Sequence, residues 1–285
     1  MTLPEAIDAH PVRRISRRLA QMPLLVALAF VVVCVVVMCA VLAPWIAPYD
    51  PSLQRLDVGV SLPSSDLILG TDTLGRDILS RSIHGASTAL VGPMVIAAGA
   101  FAIATILGLL AGYLGGWIDT LIMRWVDFMH GLPSTLIVIV VVGVIGGGYW
   151  VAVAVLLIAF VPSDTRIVRS AVLEQRPRPY IDAARSLGIS KPRILLVHII
   201  PNILPIIVAY VAIDFAFALV NLAGLSFLGL GVEPGTADWG RMLSENRNLL
   251  LGGNPLGTLV PASAMILTAI SMNLIGDWLF EEFIG

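Results

Sequence analysis

Few groups in this 285-residue sequence are placed to do bond chemistry. Gly70, four residues, then Gly75-Arg76-Asp77 comes within two substitutions of a phosphate-binding loop, which needs Gly, four residues, Gly, Lys, then Ser or Thr. Both changes count against nucleotide binding, because a carboxylate at 77 repels phosphate where a hydroxyl should hold magnesium. The mixed signs of Asp72, Arg76 and Asp77 fit a local charge network instead. His84, His130 and His198 each lack a second ligand at metal spacing and read as interfacial histidines. Cys34 and Cys39 share one apolar run and point to different sides of a helix, so they form neither a disulfide framework nor a thiolate site. No serine has both a base and an orienting acid beside it, and the chain therefore reads as a non-enzyme with no metal or cofactor of its own. Two features stay open: a lone Asp214 in an uncharged run, and the segment Asp182-Ala183-Ala184 within a long basic stretch.

The elements that must position these groups follow from composition. Hydrophobic residues make up 58% of the chain, charged residues 13%, and the mean hydropathy is +0.93. A soluble domain carries about 25% charged residues, so this chain cannot cover its own surface in water and must lie in a membrane. Its net charge of −2 offers no basic excess for nucleic acid. The apolar residues group into runs that match the roughly 20 residues needed to cross about 30 Å of hydrocarbon. The first span runs from Leu24 to Ala43, and a second is centred on Val91 to Leu110, where Gly108, Gly112 and Gly116 form a stripe suited to helix packing. The uncharged stretch from Phe128 to Ser163 would overshoot the bilayer as one helix. It must therefore be a hairpin turning at Gly146-Gly147-Gly148, with a third span to Ile145 and a fourth from Tyr149 to Val161 and beyond. A fifth runs from Ile199 to Val220 and a sixth from Thr258 to Leu279.

Charge orients the six spans. Arg13, Arg14, Arg17 and Arg18 precede the first, whose apolar run is too long for a cleavable signal, so the amino terminus is expected inside. The three segments then assigned to the inside hold twelve of the 17 basic residues, whereas the outer segments are acidic on balance. The expected layout is a basic cytoplasmic segment over 1–23, an anchor over 24–47, an extracytoplasmic elbow over 48–85 and a five-helix core over 86–280. An inner loop at 164–201 and an outer loop at 231–256 interrupt the core, and a cytoplasmic tail follows at 281–285.

The inner loop is longer than a connector requires and carries seven basic residues. Pro179 opens and Gly188 closes a short helix, on which Tyr180, Ala183, Ala184 and Leu187 share an apolar face while Asp182, Arg185 and Ser186 lie on the other side. Small residues at the centre of such a face suit close approach by a partner; a basic amphipathic helix also suits the membrane surface. Spacing alone leaves both readings open. Asp214 is the single formal charge deep in an expected span, so it faces either a translocation path, with Asn221 further along the same route, or a partner helix.

Asp182-Ala183-Ala184, three residues, Gly188, nine residues, then His198-Ile199-Ile200-Pro201 resembles the cytoplasmic loop motif of permease subunits of bacterial ABC importers, with Asp182 in place of the family's Glu and with His198 and Ile200 departing from the general pattern. Leu69 to Arg81, Asp119, Met123-Arg124, Asp127, Pro133, Leu225 to Gly231, Trp239-Gly240 and Asn273 to Asp277 are similar to the "C" type of the dipeptide, oligopeptide and nickel permeases, so the likeness covers nearly everything from Leu24 to Asp277. The resemblance implies an all-α membrane protein of type I importer architecture, with six transmembrane helices and a cytoplasmic coupling helix between spans four and five. It implies one half of a translocation path for di- or oligopeptides in the bacterial cytoplasmic membrane, both termini inside. The partners it implies are a homologous second permease, two ABC ATPase subunits that bind the ATP and Mg, and an extracytoplasmic solute-binding protein. Tyr180, Asp182, Ala183, Ala184, Arg185, Leu187 and Gly188 would couple to the ATPase. Nickel or another small solute is an alternative cargo. A secondary transporter is the alternative class, but it would need an ionisable relay and internal repeats, and the sequence shows one acid and no clear repeat.

Overall fold

The structure is a computed structural model that describes residues 22–131, 133–251 and 254–284. The four N-terminal arginines used to orient the chain lie outside the described residues. α1 (Leu24–Ile46) is apolar on every face, so no side of it is selected for burial, and only Val26, Ala29, Val36 and Ala43 are buried. Phe30 meets Trp278 edge-on at 6.0 Å and ties α1 to the last helix. α2 (Ile78–Leu109) begins where the Ser80 N–H donates to Asp77 at 2.8 Å, a side-chain cap, and runs on through a π-helical turn, Leu110–Leu114.

The hairpin turn falls where the glycine triplet places it. Gly146, Gly147 and Gly148 have φ of 107°, 77° and 109°, a left-handed run that side chains with a Cβ resist. α5 (Tyr149–Gln175) follows and differs from expectation at its far end. The inner loop was expected from Asp164, but the helix passes through Pro162 and buries both Asp164 and Thr165. One proline removes one helical bond, and packing offsets it: the apolar face continues through Val168 and Val172 onto α2, while the Thr165 hydroxyl donates to the Val161 carbonyl at 2.7 Å in the following turn. That contact is close because α2 presents glycine there. A Cβ on Gly108 would sit 2.7 Å from Val168, and one on Gly112 would sit 2.9 Å from Val172, whereas Gly116 faces open space and has no part in the stripe.

The third expected span is broken. α3 (Gly116–His130) and α4 (Ser134–Ile145) meet at 83°. Pro133 brings no N–H to continue the first helix, which explains the break. α4, at 12 residues, spans about 18 Å, short of a bilayer crossing. α3 is bound to α5 by charge, with Arg169 Nε to Asp119 at 2.5 Å and Arg166 Nη2 to Asp127 at 3.0 Å.

α6 (Pro179–Ser186) and α7 (Lys191–Ile194) lead through a π-helical turn, Leu195–Ile199, into α8 (Ile200–Phe227); α9 (Trp239–Asn246) and α10 (Leu256–Ile284) complete the chain. α8 and α10 touch at Gly276, where a Cβ would lie 2.9 Å from Ala212. Among the described residues five helices are long and apolar enough to cross a membrane, and the bent α3–α4 pair adds a sixth only when its two halves are counted as one span. The chain is all-helical there, with one isolated bridge between Thr71 and Asp77.

Candidate functional site

Three places gather polar groups that the sequence singled out. At the end of the bundle that carries α9, the near-miss phosphate loop is filled by the chain itself. Arg76 Nε meets Asp72 Oδ2 at 2.7 Å, Arg76 Nη2 meets Glu245 at 2.5 Å, and Arg81 reaches Glu245 at 3.2 Å and Asp72 at 3.5 Å. Arg241 completes the group at 3.0 Å from Glu245. Asp72, Arg76 and Arg81 are almost wholly buried. Burial alone pushes the Glu245 carboxyl up, but the adjacent Arg241, Arg76 and Arg81 outweigh it and hold the group below the usual glutamate range. Asp72 and Arg76 form the expected charge network, which joins the elbow to α9, whereas Asp77, also expected in it, makes no ion pair among the described residues and caps α2 instead; Glu245, far off in sequence, was not foreseen as a member.

At the opposite end, α6 sits on a cluster that includes Tyr113, Val172, Ile194 and Ile199. Ile181 and Ala184, three apart, point into it, and Ile181 is fully buried. This corrects the expected face. Ala184 turns inward with Ile181, whereas Tyr180, Ala183 and Leu187 point outward with Asp182 and Arg185, and Leu187 is 80% exposed. Arg185 pairs with Asp182 at 3.1 Å and lies 5.5 Å over the Tyr113 ring. The Tyr180 hydroxyl donates to Gln175 Oε1 at 2.6 Å. Gly188, at φ 73°, ends the helix as the Ile189 N–H donates to the Ala184 carbonyl at 3.1 Å. The result is a short helix buried along its inner side and bare on its outer side.

Between α4, α5 and α8 lies a cavity of about 510 Å³. Val138, Leu156, Phe160 and Phe217 line it with apolar surface, and Thr135, Ser163, Asp164, Asp214 and Asn221 bring polar groups. Asp214 and Asn221 both reach this cavity, and the Asn221 amide donates to the Phe217 carbonyl at 2.8 Å. Asp164 faces Asp214 across the helix pair and was missed because the sequence placed it in a loop. The signal that would have found it is the apolar periodicity at Val161, Val168 and Val172, which carries the helix past Pro162.

The histidines have bland partners. Nδ1 of His84 lies 3.0 Å from the Ser80 carbonyl and Nδ1 of His130 lies 2.9 Å from that of Val126, and no three metal-ligating side chains gather among the described residues. Cys34 and Cys39 are free.

Comparison with known proteins gives this arrangement a family. The family model for the binding-protein-dependent transport system inner membrane component matches residues 104–283, and that for the N-terminal TM domain of oligopeptide transport permease C matches residues 11–63. The chain is 37% identical over 250 residues to the di/tripeptide transport system permease protein DppC of Pseudomonas aeruginosa, covering 86% of this chain and 82% of the relative. It is 36% identical over 285 residues to the glutathione transport system permease protein GsiD of Pectobacterium atrosepticum, covering 98% and 93%. A chain of the MetNI methionine ABC transporter, solved in inward-facing conformations, shares the fold with a TM-score of 0.59 at 18% identity, covering 71% of this chain and 96% of that one. The apolar helices, the broken third span and the bare α6 thus belong to a membrane permease subunit of the binding-protein-dependent transport system inner membrane component family, within the group that contains the DppC and GsiD permeases.

Proposed function

We propose that this chain is one of two permease subunits of an ATP-driven peptide importer in the bacterial cytoplasmic membrane. The cavity between α4, α5 and α8 is its half of the path, and α6 is its contact with an ATPase subunit. The observation that carries the reading is the division of α6 into an anchored inner side, Ile181 and Ala184, and an exposed outer side, Tyr180, Asp182, Ala183, Arg185 and Leu187. A helix fixed to its own bundle from beneath moves as one body with the spans above it, so a push on its outer side reaches α5 and α8 without loss to local bending. On this reading α6 lies in the cytoplasm with both termini, the Glu245 network faces outward toward a solute-binding protein, and ATP and Mg belong to the ATPases. Peptides are the cargo because the curated relatives named above carry di- and tripeptides and glutathione by name.

The test is reconstitution of the importer, with its second permease, ATPases and binding protein, in liposomes. Ala183→Trp should leave the chain folded in the membrane while peptide uptake falls at least tenfold and ATP hydrolysis no longer responds to substrate. Normal uptake by this variant overturns the docking assignment. Accumulation by the isolated chain under an ion gradient overturns the importer reading altogether.

A further inference from the structure

Asp164 on α5 and Asp214 on α8 bring two carboxyl groups to the wall of one cavity inside the membrane-spanning bundle, and Oδ2 of each is buried without a hydrogen-bond partner. Two carboxyls brought together away from water hold at least one proton between them, so the pair carries at most one negative charge. Nothing compensates that charge. Asp164 is 1% exposed, no N–H or O–H donor among the described residues reaches Oδ2 of either aspartate, and no lysine or arginine lines the cavity. The nearest basic residues along α5 are engaged elsewhere, Arg166 with Asp127 and Arg169 with Asp119. A buried anion without a partner is expensive and persists where a cationic ligand completes it.

The surroundings specify the cation. A divalent metal asks for six or more oxygen ligands or a set of nitrogen and sulfur donors, and no third His, Cys, Asp or Glu side chain joins the pair among the described residues. A primary ammonium asks for less: it carries three donors on a small charged head, and the two bare Oδ2 atoms are acceptors without donors. The rest of the wall suits what such a head would carry. Phe160, Phe217 and Leu156 offer apolar contact, and Asn221 stands two turns along α8 from Asp214, about 10 Å of helix rise, with a side-chain amide for a polar far end.

We propose that the Asp164–Asp214 pair is a cation seat on the wall of the path that receives the terminal ammonium group of the peptide in transit. This rests on the peptide-permease reading above and deepens it. The free amino terminus is the one cationic group that peptides of different side chains have in common, so a seat for it holds the cargo in a fixed orientation without choosing among side chains.

The experiment uses the assembled, nucleotide-free complex of both permeases and both ATPases in detergent, without the binding protein, so that any selectivity belongs to the membrane subunits. Saturation-transfer NMR is recorded with dialanine, with N-acetyl-dialanine and with methylammonium as competitor. Dialanine is expected to bind, methylammonium to displace it, and the N-acetyl form to bind at least tenfold more weakly. Asp164→Asn and Asp214→Asn should each weaken dialanine at least tenfold and abolish the difference between the two peptides, and Asp214→Glu should restore part of it. Equal binding of the two peptides to the wild-type complex, or no binding of dialanine, overturns the seat, and this comparison decides the matter even where an asparagine variant fails to assemble. ATP-driven uptake of dialanine by the complete importer tests the peptide reading separately. Uptake without discrimination in the NMR experiment removes the seat alone, and no uptake of any peptide removes the reading beneath it.

Discussion

Arg76→Met is the sharpest test of the buried network that joins the elbow to α9. Arg76 is 1% exposed and makes two close ion pairs, to Asp72 at 2.7 Å and to Glu245 at 2.5 Å. Removing one member of a buried pair costs about 3–5 kcal/mol, because the other charge is left without its partner. Here the cost divides unevenly. Glu245 keeps Arg241 at 3.0 Å and Arg81 at 3.2 Å, but Asp72, fully buried, keeps only Arg81 at 3.5 Å and the N–H groups of Leu74 and Arg76. Those survivors place the expected loss at the low end, about 3 kcal/mol, and assign most of it to Asp72. The consequence is local. The elbow is closed by the Thr71 N–H donating to the Ser61 carbonyl at 3.1 Å and the Ile78 N–H donating to that of Gly70 at 3.1 Å. Hydrogen exchange at those amides should accelerate on the order of 100-fold, since about 1.4 kcal/mol is a factor of ten. Arg76→Lys should recover part of this protection, because an ammonium meets one carboxylate as a point charge but cannot fork between two. Acceleration below threefold in Arg76→Met, or equal exchange in the two variants, refutes the network as the clasp of the elbow.

Other outcomes follow from the same geometry. Ile181→Ala should destabilise the α6 region by about 3 kcal/mol, as for a buried isoleucine elsewhere, whereas Leu187→Ala should change stability by less than about 0.5 kcal/mol while impairing coupled ATP hydrolysis; thermal unfolding in detergent beside ATPase assays separates the two. Gly108→Ala should cost about 1–3 kcal/mol, because the added Cβ meets Val168 at 2.7 Å in the α2–α5 contact, and a thermal shift measures it. Tyr149→Phe should cost about 1–2 kcal/mol and alter the course of α2, seen as a changed spin-label distance across the helix, because the Tyr149 hydroxyl accepts from the Gly92 N–H at 2.7 Å and donates to the Thr88 carbonyl at 2.6 Å, standing between groups that a regular helix joins directly. Glu245 has its carboxyl held below the usual range, so its contribution to stability is complete above the unfolded value near pH 4.3 and is lost as pH falls through the lower folded value; an acid unfolding midpoint that does not move in Glu245→Gln contradicts this.

How far the sequence carries depends on whether a feature is written in one local run. The Gly146–Gly148 turn, the Asp77 cap at the start of α2 and the Pro179-to-Gly188 bounds of α6 are short-range devices, and each falls where its residues demand. The bend at Pro133 is local too, but hydropathy conceals it: α3 and α4 together are apolar enough to pass for one span, and only the charges at Asp119, Arg124 and Asp127 betray that the first half is held at the side of α5. Glu245 could not be matched to Arg76 from spacing, because the pair spans 169 positions and depends on how the elbow folds against α9. The inner side of α6 was half legible. Helical periodicity puts Ile181 with Ala184 and also Tyr180 with Ala184, and which pair turns inward is settled by the Tyr113, Val172 and Ile194 cluster beneath.

Asp164 shows why a charge map misleads inside a membrane bundle. Read along the chain, the acid two residues after Pro162 is the first charge beyond an apolar run, and charge after a proline ordinarily marks the end of a span. In the folded chain it stands about 15 residues into a 27-residue helix, roughly 22 Å from the glycine turn, level with Asp214, which is about 14 residues into α8. Each aspartate alone looks like an accident of its own segment, one a loop residue and the other an isolated polar group. Their meeting follows from the antiparallel course of α5 and α8 and from the glycine contacts that draw α5 against α2, none of which is encoded near either residue. Because two carboxyls held together must either repel or keep a proton between them, a purely structural role would be served better by Asp and Asn or by two apolar residues of similar size. Two acids beside a cavity, with no basic residue among the described cavity-lining residues to answer them, are therefore intelligible as a site that waits for a positive charge from outside the chain.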